Sequence, residues 1–188
     1  MNAYRLAGLG FVVALVAGLV GYQVQKLAQP ASPMPVLGGT ATPSRDTKLL
    51  GQVRPEFALQ DLDGRRHSVT EWDGKVLALN FWASWCPPCR EEIPGFIMLQ
   101  EKFADQGLQF IGIALERTET ARSFVAEVGI NYPVLIGEQE VIRIAEQYGN
   151  TIGALPYTVI IDRNGKIAFI KRGPLHADKA EDIINALF

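Results

Sequence analysis

Apolar and polar positions change along the chain in blocks that predict alternating strands and helices. Residues 76–83 and 108–115 are almost continuously apolar, which is typical of strands buried on both faces of a sheet. Residues 87–106 instead place apolar side chains three and four positions apart, the spacing of a helix with one buried face. This alternation predicts an α/β domain with a central mixed β-sheet flanked by helices.

The remaining segments continue the same pattern. The turn-forming residues 61–64 separate two short strand-like segments, 57–59 and 67–69, and predict a β-hairpin. Further strands are predicted at 133–136, 157–162 and 166–171, and further helices at 118–128, 140–148 and 178–187. The domain is therefore expected to open with a hairpin and to close with a helix.

The first residues of the chain have a different pattern. Leu6–Val24 is almost continuously apolar, with Arg5 before it and Lys26 after it. A helix of about 20 apolar residues spans a bilayer, whereas the apolar part of a cleaved signal peptide has only ~7–15. The segment is expected to be a membrane anchor or a signal sequence, and its length favours an anchor in the inner membrane through residues 6–25.

Three regions are predicted along the chain. Residues 1–27 form the anchor or signal sequence, and residues 28–50, rich in Pro, Gly, Ser, Thr and Ala, form a flexible linker. Residues 51–188 form the folded domain. A short leader usually keeps its N-terminus inside the cell, so the domain is expected to face the periplasm or the outer face of the membrane.

The charge balance gives no indication of a nucleic-acid partner. Arg5 and Lys26 are the only charged residues among the first 30, and 16 basic and 20 acidic residues follow them. A nucleic-acid-binding domain usually carries an excess of basic residues, whereas this one has an acidic excess. The chain also has no glycine-rich phosphate loop of the P-loop type.

The chain's two cysteines, Cys86 and Cys89, are separated by two prolines. A Cys-x-x-Cys motif between a predicted strand and a predicted helix indicates a redox-active disulfide. At a helix N-terminus, unpaired backbone N–H groups and the helix dipole favour the thiolate of Cys86. Cys86 is therefore predicted to attack a substrate disulfide, and Cys89, one turn later, to resolve the mixed disulfide.

Two neighbours of the motif are candidate functional residues. Glu92 lies three residues after Cys89 on the same helical face and is predicted to accept its proton as a third catalytic residue. The alternative is a carboxylate placed to complement the helix dipole. Trp85 is either an apolar contact surface for substrates or a partly buried aromatic residue. His67 and His176 are predicted to be surface residues without a role.

Other functions of the cysteine pair remain as alternatives. Structural zinc normally takes four ligands, and besides the pair only His67 and His176 are available, so no metal or other cofactor is predicted. An inert disulfide closing so short a loop would stabilise the fold little. A copper-handling metallochaperone that uses the thiols as soft ligands is a second candidate. A thiol peroxidase is a third.

Three stretches, residues 55–64, 79–94 and 155–165, carry a resemblance to a known family. In them the chain resembles the membrane-anchored, thioredoxin-like thiol–disulfide oxidoreductases of the TlpA/ResA group, relatives of the cytochrome c maturation reductants. The resemblance covers about residues 51–188. It implies a thioredoxin-like fold with an N-terminal β-hairpin and a strand–helix insertion between the active-site helix and a cis-proline.

The resemblance also implies roles for particular residues. It assigns Glu92 to the group's active-site glutamate and makes Pro156 a cis-proline beside Cys86, so that a substrate chain pairs with the backbone near Leu155. It implies disulfide-bearing protein substrates, with apocytochrome c as one candidate, and a membrane thiol-electron donor. The sequence of residues 153–157 departs from the Gly-Ala-Pro-Glu of the cytochrome c maturation reductants and is closer to the general type.

Overall fold

The computed structural model describes residues 48–188, so the predicted anchor and residues 28–47 of the predicted linker lie outside the described residues. The elements are, in chain order, β1 (Ala58–Asp61), β2 (Arg66–Ser68), β3 (Val76–Trp82), α1 (Pro87–Phe103), β4 (Leu108–Leu115), α2 (Thr118–Val128), β5 (Val134–Gly137), α3 (Gln139–Gln147), β6 (Tyr157–Ile161), β7 (Ile167–Arg172) and α4 (Ala177–Asn185). None of the helices between residues 48 and 188 has the length and apolar character to cross a membrane.

The strands of the described domain form one mixed sheet of seven strands in the order β2-β1-β5-β4-β3-β6-β7. Strand β3 lies parallel to β4 and antiparallel to β6, and β4 lies parallel to β5. Every residue of β3 is buried, because this strand has a neighbour on each side and helices over both faces. The predicted mixed sheet and its central strand are therefore confirmed.

The two faces of the sheet have separate hydrophobic cores. On one face, Leu77 and Leu79 of β3 pack with residues of α3 and of the short 3₁₀ helix Val69–Trp72. On the other face, Val76 and Ala78 pack against α1 and α4. Alternate residues of a strand point to opposite faces, so one apolar strand supplies both cores. Helix α1, which carries the cysteines, lies on the second face.

Most predicted boundaries agree with the structure to within two residues. The predicted helix 87–106 is an α-helix only to Phe103, and a 3₁₀ helix, Ala104–Gln106, completes it. Gly107 follows with a φ of 89°, a left-handed conformation in which glycine commonly ends helices. The predicted strand–helix insertion is present as β5 and α3. It places β5 between β4 and β1 in the sheet.

The prediction that His67 is a plain surface residue is wrong. Its Nδ1 lies 2.8 Å from Glu71 Oε2 and its Nε2 lies 3.0 Å from Asp61 Oδ2. The imidazole stacks on Trp72 with ring centroids 5.9 Å apart. These contacts tie the hairpin to the 3₁₀ helix that follows it. Sequence reasoning missed them because none of the three contact residues stands out from an ordinary polar or aromatic residue.

These contacts make the stability of the hairpin depend on pH. The hydrogen bond to Glu71, followed by that to Asp61, raises the pKa of His67 above its usual 6.5. The stabilisation is therefore complete below pH 6.5 and is lost as pH rises through the folded-state pKa. We expect His67→Gln to lower the free energy of unfolding more at pH 5.5 than at pH 8.5, measured by urea denaturation. His176→Gln, at an exposed helix N-cap, is the control and should show no such difference.

Candidate active site

The two cysteines form a disulfide at the N-terminus of α1. The S–S distance is 2.09 Å and the Cα atoms are 5.3 Å apart. Cys86 is the N-cap residue, and Pro87 and Pro88 occupy the first two helical positions. Proline fits there because the first N–H groups of a helix have no partner within it. The predicted position of Cys86 at the start of the helix is confirmed.

Backbone hydrogen bonds hold Cys86 from both sides. Its N–H donates to the carbonyl of Ala83 at 3.1 Å, and its own carbonyl accepts from the N–H groups of Cys89 and Arg90. The two prolines have no N–H to donate. The backbone of this helix start therefore offers the Cys86 sulfur fewer donors than an ordinary helix N-terminus would.

The two sulfur-bearing residues differ in access to solvent. Cys86 is 4% exposed, whereas Cys89 is fully buried. Trp85, immediately before Cys86, is 66% exposed, so the alternative of a partly buried aromatic residue is wrong. An attacking group must be reached by its substrate, and this geometry agrees with the predicted order in which Cys86 attacks and Cys89 resolves.

Glu92 is a buried carboxylate on α1, three residues after Cys89. Its Oε1 accepts a hydrogen bond from Asn80 Nδ2 at 2.7 Å, and its Oε2 accepts one from the N–H of Leu175 at 2.8 Å. Burial raises the pKa of Glu92 from 4.5 to about 7, although both hydrogen bonds act to lower it. A carboxylate with a pKa near neutrality can both accept and return a proton under physiological conditions.

Asn80 fixes Glu92 to the central sheet, and sequence reasoning did not find it. Its Nδ2 also donates to Thr158 Oγ1 at 3.1 Å, which links β3 to β6. One signal was available, because Asn80 is the single polar residue of an otherwise apolar strand. A buried amide normally needs a hydrogen-bond partner, so its presence there indicates a polar site below the surface.

The charge of Glu92 acts on a buried tyrosine, Tyr132. Burial, and then the charge of Glu92, raise the pKa of Tyr132 above its usual 10. Its ring packs against Phe110 with centroids 5.6 Å apart. Among the described residues its hydroxyl has no hydrogen-bond partner. The surroundings of Glu92 therefore disfavour a second negative charge.

The Leu155–Pro156 peptide bond is cis, as the resemblance implied. Tyr157, the next residue, pairs with Phe81 near the C-terminal end of β3. Pro156 therefore lies at the same end of the sheet as the loop that leads from β3 to Cys86. Leu155 packs against the hydrophobic cluster that contains both cysteines. The structure thus brings Cys86, Cys89 and Leu155 together, while Trp85 remains at the surface beside them.

A further residue, Asn150, shapes the loop before the cis-proline. Its Nδ2 donates to the carbonyl of Ala154, and its Oδ1 accepts from the N–H of the same residue. Asn150 is buried. These paired bonds fix the backbone that leads into Leu155. No sequence signal indicates this role, because Asn150 follows a helix and resembles an ordinary turn residue.

A structural zinc site that used Cys86 and Cys89 would need further ligands. Between residues 48 and 188 no group of three or more His, Cys, Asp or Glu side chains is placed to hold a metal ion. The described part of the chain therefore adds no third such ligand to Cys86 and Cys89.

The fold and the site define a class of protein. A mixed sheet flanked by helices, with a Cys-x-x-Cys disulfide at the start of a helix and a nearby cis-proline, defines a thioredoxin-like thiol–disulfide oxidoreductase. The chain belongs to the AhpC/TSA family, whose sequence profile matches residues 50–170.

Curated relatives and solved structures agree with this class. The chain is 35% identical to the thiol-disulfide oxidoreductase ResA of Geobacillus thermodenitrificans, over 67% of this chain and 71% of that protein. It is 31% identical to the ResA of Geobacillus kaustophilus, over 70% and 74%. A thiol:disulfide interchange protein of Chlorobium tepidum superposes with a TM-score of 0.66 and 32% identity, over 72% and 94% of the two chains. The predicted resemblance to thioredoxin-like thiol–disulfide oxidoreductases of the ResA type is thereby confirmed, and these relatives favour the oxidoreductase over the copper-handling and peroxidase alternatives.

Proposed function

We propose that this protein reduces disulfides in other proteins at the cell envelope. The observation that carries the proposal is the Cys86–Cys89 disulfide, with the more accessible cysteine at the helix N-cap and a buried carboxylate on the same helix. In the reduced protein, the Cys86 thiolate attacks one sulfur of a substrate disulfide. A mixed disulfide forms and the other substrate sulfur leaves as a thiolate.

The second half of the reaction uses Cys89 and Glu92. Cys89 loses its proton to Glu92 and attacks the Cys86 sulfur. The Cys86–Cys89 disulfide closes, and the second substrate sulfur leaves. Two electrons pass from the protein dithiol to the substrate, which ends as a dithiol. A thiol-electron donor in the membrane then reduces the protein disulfide and restores the starting state.

The groups around Cys86 support the proposed direction of electron flow. A dithiol whose thiolate is strongly stabilised makes an oxidising pair. Here Pro87 and Pro88 remove two N–H donors from the helix start, and the buried Glu92 opposes a second negative charge nearby. Both effects favour the disulfide over the thiolate, and so support a reductant.

The proposed location rests on the N-terminal sequence. Residues 6–25 would anchor the chain in the inner membrane, and the linker would hold the domain on the periplasmic or outer face. An oxidising compartment supplies disulfide-bearing proteins as substrates. Apocytochrome c is one candidate among them. Recovery of the full-length chain in carbonate-washed membranes, with the domain accessible to protease from outside, would support this location.

Trapping of mixed disulfides tests the proposed function. In cells that express Cys89→Ala, the resolving step is missing, so substrates should accumulate as covalent adducts of Cys86 that mass spectrometry can identify. The matched control is Cys86→Ala, which should form none of them. Purified wild-type protein, reduced beforehand, should also reduce a protein disulfide in vitro. Absence of both the adducts and the reductase activity would overturn the proposal.

A further inference from the structure

Every polar group of Ser84 is hydrogen-bonded. Ser84 lies in the loop between β3 and α1, two residues before Cys86. Its N–H donates to Glu116 Oε1 at 3.0 Å and its hydroxyl donates to Glu116 Oε2 at 2.6 Å. Its carbonyl accepts from Arg90 Nη1 at 3.4 Å. These three hydrogen bonds hold the loop in one position.

Glu116 is a buried carboxylate whose two oxygens both bind Ser84. The residue is 7% exposed and follows the last residue of β4. None of the ion pairs found among residues 48–188 includes it. Burying a carboxylate without a cation is unfavourable unless hydrogen bonds compensate. The two hydrogen bonds from Ser84 supply that compensation, so the burial of Glu116 and the position of Ser84 depend on each other.

We propose that Glu116 is a positioning residue for thiol–disulfide exchange, which acts by fixing Ser84 and hence the loop that carries Trp85 and Cys86. The inference rests on the oxidoreductase function proposed above. In the oxidised protein the disulfide itself ties Cys86 to the helix. In the reduced protein that covalent link is absent, and the bonds between Ser84 and Glu116 keep the attacking sulfur at the helix N-cap.

The same arrangement has an electrostatic consequence. A negative charge close to the loop opposes the Cys86 thiolate. Charged groups near the loop include Arg90, whose guanidinium pairs with Glu127 at 3.1 Å and lies 4.8 Å from the ring centroid of Phe124, and the buried Glu92 on the helix. Arg117 follows Glu116 in the chain and lies 3.7 Å from Glu119. Because Arg90 and Arg117 each lie near another carboxylate, they only partly offset Glu116. Glu116 should thus favour the disulfide state, as a reductant requires.

The test compares a neutral replacement with a matched control. Glu116→Gln keeps an oxygen for the Ser84 N–H and an amide group for the Ser84 hydroxyl, while it removes the charge. Ser84→Ala removes only the hydroxyl. Glu119→Gln removes the same charge from an exposed residue whose ion-pair partner is 3.7 Å away, and serves as the control. For each full-length variant we would measure the equilibrium with glutathione, the pH dependence of Cys86 alkylation, and the urea midpoint.

For Glu116→Gln we expect alkylation of Cys86 at lower pH than in the wild type. We also expect a shift of about tenfold in the glutathione equilibrium toward the dithiol, which corresponds to 29.6 mV for a two-electron couple. Ser84→Ala should slow alkylation by the loss of loop position, and Glu119→Gln should match the wild type. The inference fails if Glu116→Gln and Ser84→Ala change only the urea midpoint. A wild-type protein that exchanges with glutathione but reduces no protein disulfide would instead overturn the proposed function.

Discussion

Glu92→Gln is expected to stabilise the oxidised protein at pH 8 and to slow disulfide exchange. Burial raises the pKa of Glu92 to about 7 in the folded protein, against 4.5 ordinarily. Between these values the folded protein holds a proton that the unfolded chain has released. The free energy of unfolding therefore falls as pH rises through 7, and this loss is absent below pH 4.5. At about 1.4 kcal/mol for each pKa unit, the charged carboxylate costs about 3 kcal/mol above pH 7.

Urea denaturation of the oxidised protein at pH 5 and pH 8 measures this effect. The wild type should lose stability between the two pH values, and Glu92→Gln should lose much less. Glu91→Gln, the exposed neighbour, is the control and should behave as the wild type does. Equal pH dependence in Glu92→Gln and the wild type would contradict the raised pKa.

The same substitution should reduce the rate of disulfide reduction by about a hundredfold, the typical contribution of a general base. The loss should fall on resolution of the mixed disulfide, so the Cys86 adduct should persist longer in Glu92→Gln than in Glu91→Gln. A residue that stabilises the protein when it is removed, and slows the reaction, is retained for its chemistry and not for the fold.

Local patterns were enough to predict much of the fold. Strand 108–115 and helix 118–128 were predicted with the bounds that the structure has. Both have strong signals within a few residues, namely an apolar run for the strand and an amphipathic helix that ends at Gly129. The position of Cys86 at a helix start followed from the motif and from the proline after it. The cis conformation before Pro156 followed only from the resemblance.

The contacts that complete the site could not be predicted in this way. Glu92 binds the backbone N–H of Leu175, and any residue except proline would supply that group, so the sequence holds no signal. Ser84 and Glu116 are 32 positions apart, and both are ordinary polar residues when considered singly. Only the parallel pairing of β3 with β4 places the ends of these strands together. Long-range pairs of this kind depend on the completed sheet.

Substitution of Trp82 and of Trp85, the two tryptophans near the Cys-x-x-Cys motif, should change the free energy of unfolding by very different amounts. Trp82 is fully buried, its ring centroid lies 5.1 Å from that of Phe124, and it shares a hydrophobic cluster with both cysteines. Trp82→Ala should lower the free energy of unfolding by about 3–5 kcal/mol, the usual cost of truncating a buried aromatic residue. Trp85→Ala, at an exposed position, should change it by less than about 0.5 kcal/mol.

Trp85 should instead matter for the recognition of protein substrates. If the exposed ring of Trp85 contacts protein substrates beside Cys86, Trp85→Ala should raise KM for a protein disulfide and leave exchange with glutathione unchanged, because a small disulfide does not need that surface. Trp85→Phe should restore most of the affinity by keeping an aromatic face. Equal KM values for Trp85→Ala and the wild type would assign the ring no part in recognition. Since truncation of the exposed Trp85 should leave the fold intact, a raised KM for Trp85→Ala could not be attributed to misfolding.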